Sequence, residues 1–587
     1  MNVKELFGFM NENDIKLFLR NGSLCVEAPK NLITQEIKTS MIRQKQNIIE
    51  VLECFPDFRD AIFQRDEKEA VLPTYAQERL WTFQKTIPGH EKYLNTHMAF
   101  SLQGELDTSA IKKSVYAIIE RHEALRTRFL INNGRLEVDI RKETDINFLE
   151  YDLSVEGKLL EPLEEEAGKL IFSEIRRPFD LEKDLLARAL LVKVRPRFYK
   201  LIFIFSNLVT DGWSAKVFHN ELKQLYTSIV SGMETDIPTL PVQYYDYAMN
   251  IRSTDYKKRY KNSIDFWINT LKGVPAEIDF AIDYRRNTQK SFEGKREKFF
   301  FDNELVYALK KVCKQEKVTL FVMMLTIVDF LIYKYSNNND FAVFVPVINR
   351  DNKPMQNLVG LFDNLLIFRT KINKESSVIE HLIKVKDKVY AAFEHQALPF
   401  EIVVQELKII PKFQVQISML DKSMRKLELP GIQAELLEVD LKTCMCDMEI
   451  YFWESEAGLQ GHIQYSKDLF KDETMKRITY ELHSIANLIA RDSEQKIADL
   501  GLRTEAPSIN NSMIYKKLRK EINSICSGLL EIEKVCLKKS FYELGGHSFS
   551  FIKFLSILED RYKIKYLNTD AYSYPIERII ADIIHNN

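Results

Sequence analysis

The sequence predicts a multidomain chain with a small α/β unit, a large α/β domain and a C-terminal helical bundle. The 587 residues are enough for about three to four domains. Asn21-Gly22 lies between two short apolar runs, a pattern typical of a β-hairpin. A polar stretch over 504–512 predicts a linker before the final segment.

Residues 1–52 are predicted to form the small unit. Its elements follow from apolar spacing, from the hairpin dipeptide and from Thr34, which suits a helix N-cap. The residues expected in the first helix are Leu6, Phe7 and Met10; those of the strands are Ile15–Leu19 and Leu24–Ala28; those of the later helix are Ile37, Met41 and Ile48. The mostly polar stretch Glu53–Ala70 is expected to be a connector.

Residues 71–503 mix strand-like and helix-like runs without a repeat, which predicts one large α/β domain. Residues 513–587 have helical spacing and predict a small bundle. In the large domain, strands are expected at Leu201–Phe205 and Phe341–Val347, and helices at Ala110–Glu120 and Val378–Phe393.

Charge and composition argue against several classes of partner. The chain has 83 basic and 84 acidic residues, a net charge of -1, so neither nucleic acid nor an anionic membrane is expected. The longest apolar run, Leu320–Tyr333, contains Asp329 and is too short to span a bilayer, so it predicts a buried helix.

Cysteine usage and the N-terminus favour a cytoplasmic protein. The seven cysteines are scattered as expected in a reducing compartment, and Met1–Leu6 does not resemble a secretory signal. Cys444 and Cys446 are the only close pair. They have no further ligands at suitable spacing, so no metal site is predicted.

A serine follows two glycines near the C-terminus, in Glu543-Leu544-Gly545-Gly546-His547-Ser548. The glycines allow a tight turn, and the apolar-spaced run Phe549–Leu558 predicts a helix whose N-terminus would favour a phosphate ester. The segment resembles the attachment site of peptidyl carrier domains, which implies a covalent 4'-phosphopantetheine on Ser548. The alternative is a Gly-Gly loop that caps a helix.

Several stretches of the large domain, in order, resemble the motifs of condensation domains from nonribosomal peptide synthetases. That family has a fold similar to chloramphenicol acetyltransferase, so the resemblance implies the same α/β fold here. The stretches are Thr74–Trp81, Arg121–Phe129, Tyr244–Ala248, Pro346–Arg350, Val359–Asn364 and His395–Glu401.

The central motif of this family, His-His-x-x-x-Asp-Gly, corresponds here to Ser206–Gly212. Ser206 and Asn207 replace both histidines. In the family the second histidine is thought to help the acceptor amine attack the donor thioester, whereas Asn207 cannot take up a proton at neutral pH. The resemblance therefore places the catalytic positions at Asn207 and Asp211 in a degenerate motif.

Asp211 is expected to form an ion pair with Arg350, and we favour a structural role for this pair over a catalytic one. Gly212 is expected to allow close approach of backbone segments. Other candidate bases are His97, His122 and His395, although a lone histidine is more often structural than catalytic. Positioning alone can also supply much of a rate enhancement.

The first 52 residues resemble N-terminal docking domains of the tubulysin-synthetase type. The resemblance rests on Asn2–Leu6, the hairpin, Ala28-Pro29-Lys30 and the helix after Thr34. It implies that the unit binds the C-terminal tail of an upstream synthetase as an added strand. The alternative is a subdomain that only packs on its neighbour.

Two functions remain open at this point. The chain is either an amide-forming component that joins an upstream carrier-bound acyl or peptidyl group to a substrate on its own arm, or a catalytically silent docking platform with a functional carrier domain. Either function needs an upstream carrier domain and a phosphopantetheinyl transferase. The sequence leaves no room for an adenylation domain, so a separate adenylation enzyme is expected to load Ser548.

Overall fold

The computed structural model describes residues 1–501 except 14, 30–31, 67, 88, 90, 145, 155–158, 287–289, 337, 408–410 and 422–425. Beyond residue 501 it describes 513–530 and 548–562, together with residues 532, 535–536, 539, 541, 544, 576 and 579. The chain separates into two compact units, Met1–Leu500 and Gly501–Asn587.

The N-terminal segment has the elements that its sequence predicts. They are α1 (Val3–Glu12), β1 (Lys16–Arg20), β2 (Ser23–Glu27), α2 (Gln35–Arg43) and α3 (Lys45–Cys54). The hairpin turns at Asn21 and Gly22, whose φ angles of 52° and 73° are those that asparagine and glycine tolerate best. Thr34 caps α2 by accepting a hydrogen bond from the Ile37 N–H at 3.3 Å. The predicted later helix is in fact two helices, separated at Gln44.

The stretch expected to be a polar connector is packed in its first half. Phe55, Phe58 and Ile62 are buried, and the Phe58 ring meets Phe7 of α1 edge-on at 5.2 Å between centroids. The apolar residues here follow neither a helical nor a strand period, so the pattern gave no sign of their burial.

The first half of the large domain carries seven helices and six strands among its described residues. The helices are α4 (Tyr75–Thr86), α5 (Thr108–Arg121), α6 (Leu160–Arg176), α7 (Gly212–Ser231), α8 (Tyr244–Ile251), α9 (Thr254–Arg259) and α10 (Lys261–Leu271). The strands are β3 (Asn95–Gln103), β4 (Thr127–Asn132), β5 (Arg135–Ile140), β6 (Asn147–Asp152), β7 (Ala187–Arg195) and β8 (Phe198–Ser206).

The second half follows the same mixed pattern. Its strands are β9 (Gly294–Asp302), β10 (Asp340–Val347), β11 (Asn364–Lys371), β12 (Val415–Met419), β13 (Gln433–Leu436), β14 (Met448–Ser455) and β15 (Gly458–Ser466). Its helices are α11 (Asn303–Glu316), α12 (Leu320–Tyr335), α13 (Lys353–Gln356), α14 (Val378–Glu394), α15 (Phe400–Glu406) and α16 (Asp472–Arg491). The four strand and helix segments predicted for this domain are confirmed, within β8, β10, α5 and α14.

Two mixed sheets organise the two halves. The first has the strand order β13-β3-β8-β7-β6, and the second has the order β11-β10-β12-β14-β15-β9. The strand β13 comes from the second half of the sequence but pairs with β3 of the first sheet, antiparallel, with Leu436 opposite Phe100. The two halves are thus joined by backbone hydrogen bonds as well as by side chains.

The long apolar run predicted to be a buried helix is α12, and the prediction is confirmed. Oδ2 of its buried acid, Asp329, accepts hydrogen bonds from Thr370 at 2.9 Å and His381 at 3.3 Å, whereas Oδ1 has no hydrogen-bond partner among the described residues. None of the helices that the structure describes is by itself long and apolar enough to cross a membrane. Among them, only α11 and α12 taken together, with a bend of 107° between them, reach that length and composition.

The unit after residue 500 contains α17 (Met513–Leu530) and α18 (Ser548–Tyr562). Buried side chains from both helices form one apolar cluster, which includes Ile522, Cys526, Phe554 and Leu558. The predicted linker over 504–512 lies outside the described residues.

Candidate active site

The stretch Ser206–Gly212 connects the end of β8 to the start of α7. Asp211 is the N-cap of α7: its Oδ1 accepts hydrogen bonds from the Ser214 N–H at 2.8 Å and from the Ser214 hydroxyl at 2.7 Å. These bonds satisfy donors that the first turn of a helix leaves unpaired. The cap therefore fixes where the preceding turn, with Asn207, leaves the sheet.

Asp211 and Arg350 form an ion pair, as the motifs predict. Nη2 of Arg350 lies 2.9 Å from both carboxylate oxygens of Asp211, and the two side chains are 1% and 0% exposed. The Phe362 N–H also donates to Asp211 Oδ2 at 3.0 Å. The pair joins α7 of the first half to the loops after β10 and before β11 of the second half.

Backbone oxygens also hold the two terminal nitrogens of the Arg350 guanidinium, whereas its buried Nε has no hydrogen-bond partner among the described residues. Nη1 donates to the carbonyls of Met355 at 2.5 Å and Leu358 at 2.6 Å, and Nη2 to the carbonyl of Gly360 at 3.1 Å. The group also lies 4.1 Å from the centroid of the Phe362 ring. Arg350 thus connects Asp211 to three backbone carbonyls and one ring of the 350–362 loop.

The expectation for Gly212 is wrong, and the close approach occurs at Gly360 instead. A Cβ at Gly212 would meet no described atom within 4 Å, whereas one at Gly360 would lie 2.1 Å from a ring carbon of Tyr244. The Gly360 N–H donates to the Ser214 hydroxyl at 3.1 Å. Glycine is therefore needed where the second half meets α7 and α8.

Asn207 lies half-buried in the turn after β8. Its backbone N–H donates to the carbonyl of Leu94, the residue before β3, at 2.9 Å. Its side-chain Oδ1 is buried and accepts no hydrogen bond from the residues that the structure describes. Ser206 differs: its Oγ accepts from the Leu208 N–H at 3.3 Å, so its hydroxyl is engaged within the turn.

Asp363 is a second carboxyl group at this site, and sequence reasoning assigned no role to it. Burial raises the pKa of Asp363 well above its usual range, and the neighbouring charge of Asp211 raises it further. Arg350 and the Gly212 N–H, at the start of α7, act in the opposite direction. The sequence did offer one sign of this group. Asp363 lies inside the Val359–Asn364 motif and directly follows Phe362, whose ring packs on Arg350.

The alternative histidines His122 and His395 both contact neighbouring elements. His122 lies 2.9 Å from Glu221 through Nε2 and accepts from the Val359 N–H through Nδ1 at 3.3 Å. His395 lies 2.9 Å from the Ser263 hydroxyl, with its ring 4.2 Å from that of Phe266. Both rings brace contacts between elements.

His97 lies on β3, as expected, and lines a cavity of about 110 Å³ between the two sheets. His219 of α7 and His462 of β15 line the same cavity, together with Arg296 and Trp453. Burial, with help from Arg296, lowers the pKa of His462 to about 4, so this imidazole is neutral at pH 7. Sequence reasoning missed this convergence, because the three histidines are far apart in the chain.

Ser548 is the first residue of α18, which agrees with its predicted place at a helix start. The preceding Glu543, Gly545, Gly546 and His547 lie outside the described residues. Within the part of the chain that the structure describes, His, Cys, Asp and Glu side chains form no group of three or more that could hold a metal ion.

The condensation-domain family matches residues 65–508. The chain belongs to this family. A second family, the TubC N-terminal docking domain, matches residues 3–53, so the first segment of this condensation-domain protein is a docking domain.

Curated relatives are synthetases of peptides. The chain is 30% identical over 431 residues to malpinin synthetase of Mortierella alpina, covering 72% of this chain and 6% of that protein. It is 27% identical over 487 residues to bacitracin synthase 3 of Bacillus licheniformis, covering 82% of this chain and 7% of that protein. The condensation domain is thus homologous to those of nonribosomal peptide synthetases, and the match spans a small part of each relative.

Solved structures show the same fold. The X-domain from teicoplanin biosynthesis matches with a TM-score of 0.68 at 20% identity, over 75% of this chain and 99% of that one. The first condensation domain of the calcium-dependent antibiotic synthetase matches with a TM-score of 0.62 at 15% identity, over 74% of this chain and 100% of that one. The expected α/β condensation fold is therefore confirmed over most of the chain.

Proposed function

We propose that this chain is a component of a nonribosomal peptide synthetase. It takes an acyl or peptidyl group from an upstream carrier and joins it, as an amide, to a substrate held on its own phosphopantetheine arm. The observation that carries this proposal is the intact joint between the two halves of the condensation domain. Asp211, Arg350 and Gly360 keep that joint in place, although Ser206 and Asn207 stand where the family motif has histidines.

The proposed reaction does not require a strong general base at this site. A neutral acceptor amine attacks the thioester carbonyl carbon, the C–N bond forms, the C–S bond breaks, and the amine proton leaves with the thiol. Asn207 has an amide oxygen that no described residue engages, so it suits an N–H donor from the acceptor. Holding two reactants in place can supply a large part of a rate enhancement, and this is the role we assign to the turn.

The arm itself belongs to Ser548. A serine at a helix start suits a phosphate ester, because helix N-termini favour anions. The short apolar core around Ile522 and Phe554 supports a small independent carrier domain over residues 513–587. A phosphopantetheinyl transferase would attach the arm, and a separate adenylation enzyme would load it.

The upstream partner reaches the chain through the docking domain. A two-stranded sheet leaves one edge of each strand without a strand partner, and such edges accept added strands. A groove of about 200 Å³ runs beside β1 and is lined by Lys16, Leu17 and Phe18 together with residues 56–59. The C-terminal tail of the upstream synthetase is the proposed occupant, and its carrier domain is the acyl donor.

The cytoplasm is the proposed location of this assembly. All seven cysteines are free thiols, and five of them are wholly or partly buried in the unit before residue 501. Free thiols persist in reducing compartments.

A silent docking platform is the second candidate. It is favoured by the loss of both motif histidines, and by the X-domain from teicoplanin biosynthesis, which has this fold and was solved in a complex with OxyB. In that case the middle domain would bind carriers, and Ser548 would carry cargo without amide formation in this chain.

Identification of the product separates the two candidates. The loaded chain is mixed with a loaded upstream carrier, the thioester-bound material is released with cysteamine, and the released compound is sequenced by tandem mass spectrometry. The proposed enzyme gives a compound in which donor and acceptor are joined by an amide. Release of the unaltered acceptor alone would support the platform.

A further inference from the structure

A cavity of about 320 Å³ lies where β6 and β7 begin. Four cationic side chains line it: Arg141, Arg177, Lys183 and Arg188. In the pairing of β7 with β8, Arg188 is opposite Ile204. Ile204 lies two residues before Ser206 on β8. The cavity is therefore at the same end of the first sheet as the candidate active site, and separate from it.

Three of these cations have carboxylate partners. Arg141 lies 2.7 Å from Glu143, Arg177 lies 2.9 Å from Glu174, and Lys183 lies 3.3 Å from Asp180. Their charges are balanced within the protein. The fourth cation, Arg188, is the exception.

Arg188 is only 3% exposed and forms no ion pair with the carboxylates that the structure describes. Its Nη2 donates to the Arg177 carbonyl, and its guanidinium stacks 4.0 Å from the centroid of the Phe179 ring. Its Nε is buried and has no hydrogen-bond partner among the described residues. A carbonyl and a ring face hold the group in position, but neither neutralises it.

Two carboxylates, Glu143 and Asp184, also line the cavity. Glu143 binds Arg141, and Asp184 accepts a hydrogen bond from the Asp180 N–H at 2.9 Å without forming an ion pair with Arg188. Burial, together with the charge of Arg177, lowers the pKa of Arg188 to about 10, although the charges of Glu174 and Asp184 act in the opposite direction. The group therefore remains a cation at pH 7. A buried cation without a carboxylate in ion-pair contact is costly, and an anion bound in the cavity would lower that cost.

We propose that this cavity is a binding site for a phosphate group, with Arg188 as its central donor. A guanidinium offers parallel N–H groups that match two phosphate oxygens, and a phosphate also suits the adjacent cations. The Phe179 ring keeps the guanidinium plane in a fixed orientation, which reduces the entropy lost on binding. The proposal does not depend on whether the condensation domain forms amides.

The test is the binding of inorganic phosphate to the full chain at constant ionic strength. Calorimetry measures the affinity, and thermal unfolding measures the change in Tm. We expect saturable binding of inorganic phosphate to the wild-type chain and a rise in Tm of about 2 °C or more near saturation. Arg188→Met keeps the apolar stem beside Phe179 but removes the charge. It should weaken phosphate binding roughly tenfold or more.

Lys200→Met is the matched control. Lys200 is a buried cation on the neighbouring strand, but it has a carboxylate partner, Glu164, at 3.3 Å. This variant should bind phosphate as the wild-type chain does. If Arg188→Met does not fold, Arg188→Lys serves instead, because it keeps the charge and loses the forked donors; its phosphate affinity should fall several-fold.

Two further ligands identify the source of the phosphate. If 4'-phosphopantetheine binds at least tenfold more tightly than inorganic phosphate in an Arg188-dependent way and pantetheine does not bind, the site takes the phosphate of a carrier arm. Equal affinities for the two phosphates would identify free phosphate as the ligand. The proposal is overturned if the wild-type chain shows no saturable phosphate binding, or if the Arg188 variants bind phosphate as tightly as the wild type.

Discussion

The ion pair between Asp211 and Arg350 is the residue-scale feature on which the site depends. Both side chains are removed from solvent, and the guanidinium also donates hydrogen bonds to the carbonyls of Met355 and Leu358. Loss of either partner leaves an uncompensated buried charge. The pair therefore does more than a surface ion pair, which contributes little.

Asp211→Ala should destabilise the chain by about 3–5 kcal/mol, the usual cost of breaking a buried pair. The measurement is thermal or denaturant unfolding of the large domain. Glu105→Ala is the control, because its ion pair with Arg197 is exposed and its removal should leave Tm nearly unchanged. Equal stability of Asp211→Ala and the wild type would show that the pair has no structural role.

Asn207→Ala should lower the rate of amide formation only moderately. The carboxamide of Asn207 cannot take up a proton at neutral pH. Its removal therefore costs an orienting hydrogen bond and does not remove a base. The rate should rise with pH as the acceptor amine loses its proton, with a midpoint of about 8 for a free α-amine. Single-turnover rates of both proteins across pH provide the measurement.

A complete loss of rate in Asn207→Ala, with a profile that titrates near pH 7 in the wild type, would contradict this account of Asn207. The search for a base would then turn to His97, His122 and His395.

The pKa of Asp363 makes stability at this site depend on pH. Because burial and Asp211 raise its pKa in the folded chain, the folded state holds its proton more tightly than the unfolded state. Its contribution to stability is therefore fully present below about pH 4, its unfolded value, and is lost as the pH rises through the folded value.

The Tm of Asp363→Asn minus the Tm of the wild type should accordingly increase as the pH is raised. The neutral amide has no proton to lose and cannot repel Asp211. Unfolding of both proteins between about pH 4 and pH 8 measures the effect. A Tm difference that is constant over this range would mean that Asp363 titrates normally.

At the scale of elements, local patterns predicted most of what the structure contains. The hairpin followed from Asn21-Gly22, and α12 followed from one long apolar run that contains a single charged residue, Asp329. Features that need distant partners were not predictable. The pairing of β13 with β3 joins residues that are far apart in the sequence, and the packing of Phe58 on Phe7 has no periodic sign.

The candidate site divides in the same way. Asp211 and Arg350 could be placed together because each lies in a motif that resembles a known family. Asp363, the cavity shared by His97, His219 and His462, and Arg188, which has no ion pair with a described carboxylate, could not be placed. Their properties come from burial and from neighbours on other strands, which one sequence does not reveal.

The docking domain should matter most when partners are dilute. Deleting residues 1–52 should reduce acyl transfer from the natural upstream carrier at low concentration and leave it nearly unchanged at high concentration, because docking raises the effective concentration of the donor. Transfer rates over a range of carrier concentrations provide the measurement.

Since the deletion uncovers Phe55 and Phe58, the Tm of the truncated chain must be compared with that of the full chain. A properly folded truncated chain with an unchanged concentration dependence would rule out the docking role.

On the scale of the whole molecule, the chain combines a docking domain, a condensation domain and a proposed carrier domain. A relative such as bacitracin synthase 3 is much longer, and the aligned region is 7% of its length. In the proposed assembly, the acyl donor and the loading enzyme are partners of this chain. Function then depends on two transfers, one onto Ser548 and one from the upstream carrier.

The most direct test of the central claim is an intact-mass time course on the full chain. The chain carries an amino acid on its phosphopantetheine arm, and the upstream carrier carries the acyl group. We predict that the chain gains the mass of the acyl group as the carrier loses it, and that Ser548→Ala neither accepts an arm nor gains that mass. A loaded wild-type chain whose mass stays constant beside a loaded carrier would contradict the claim.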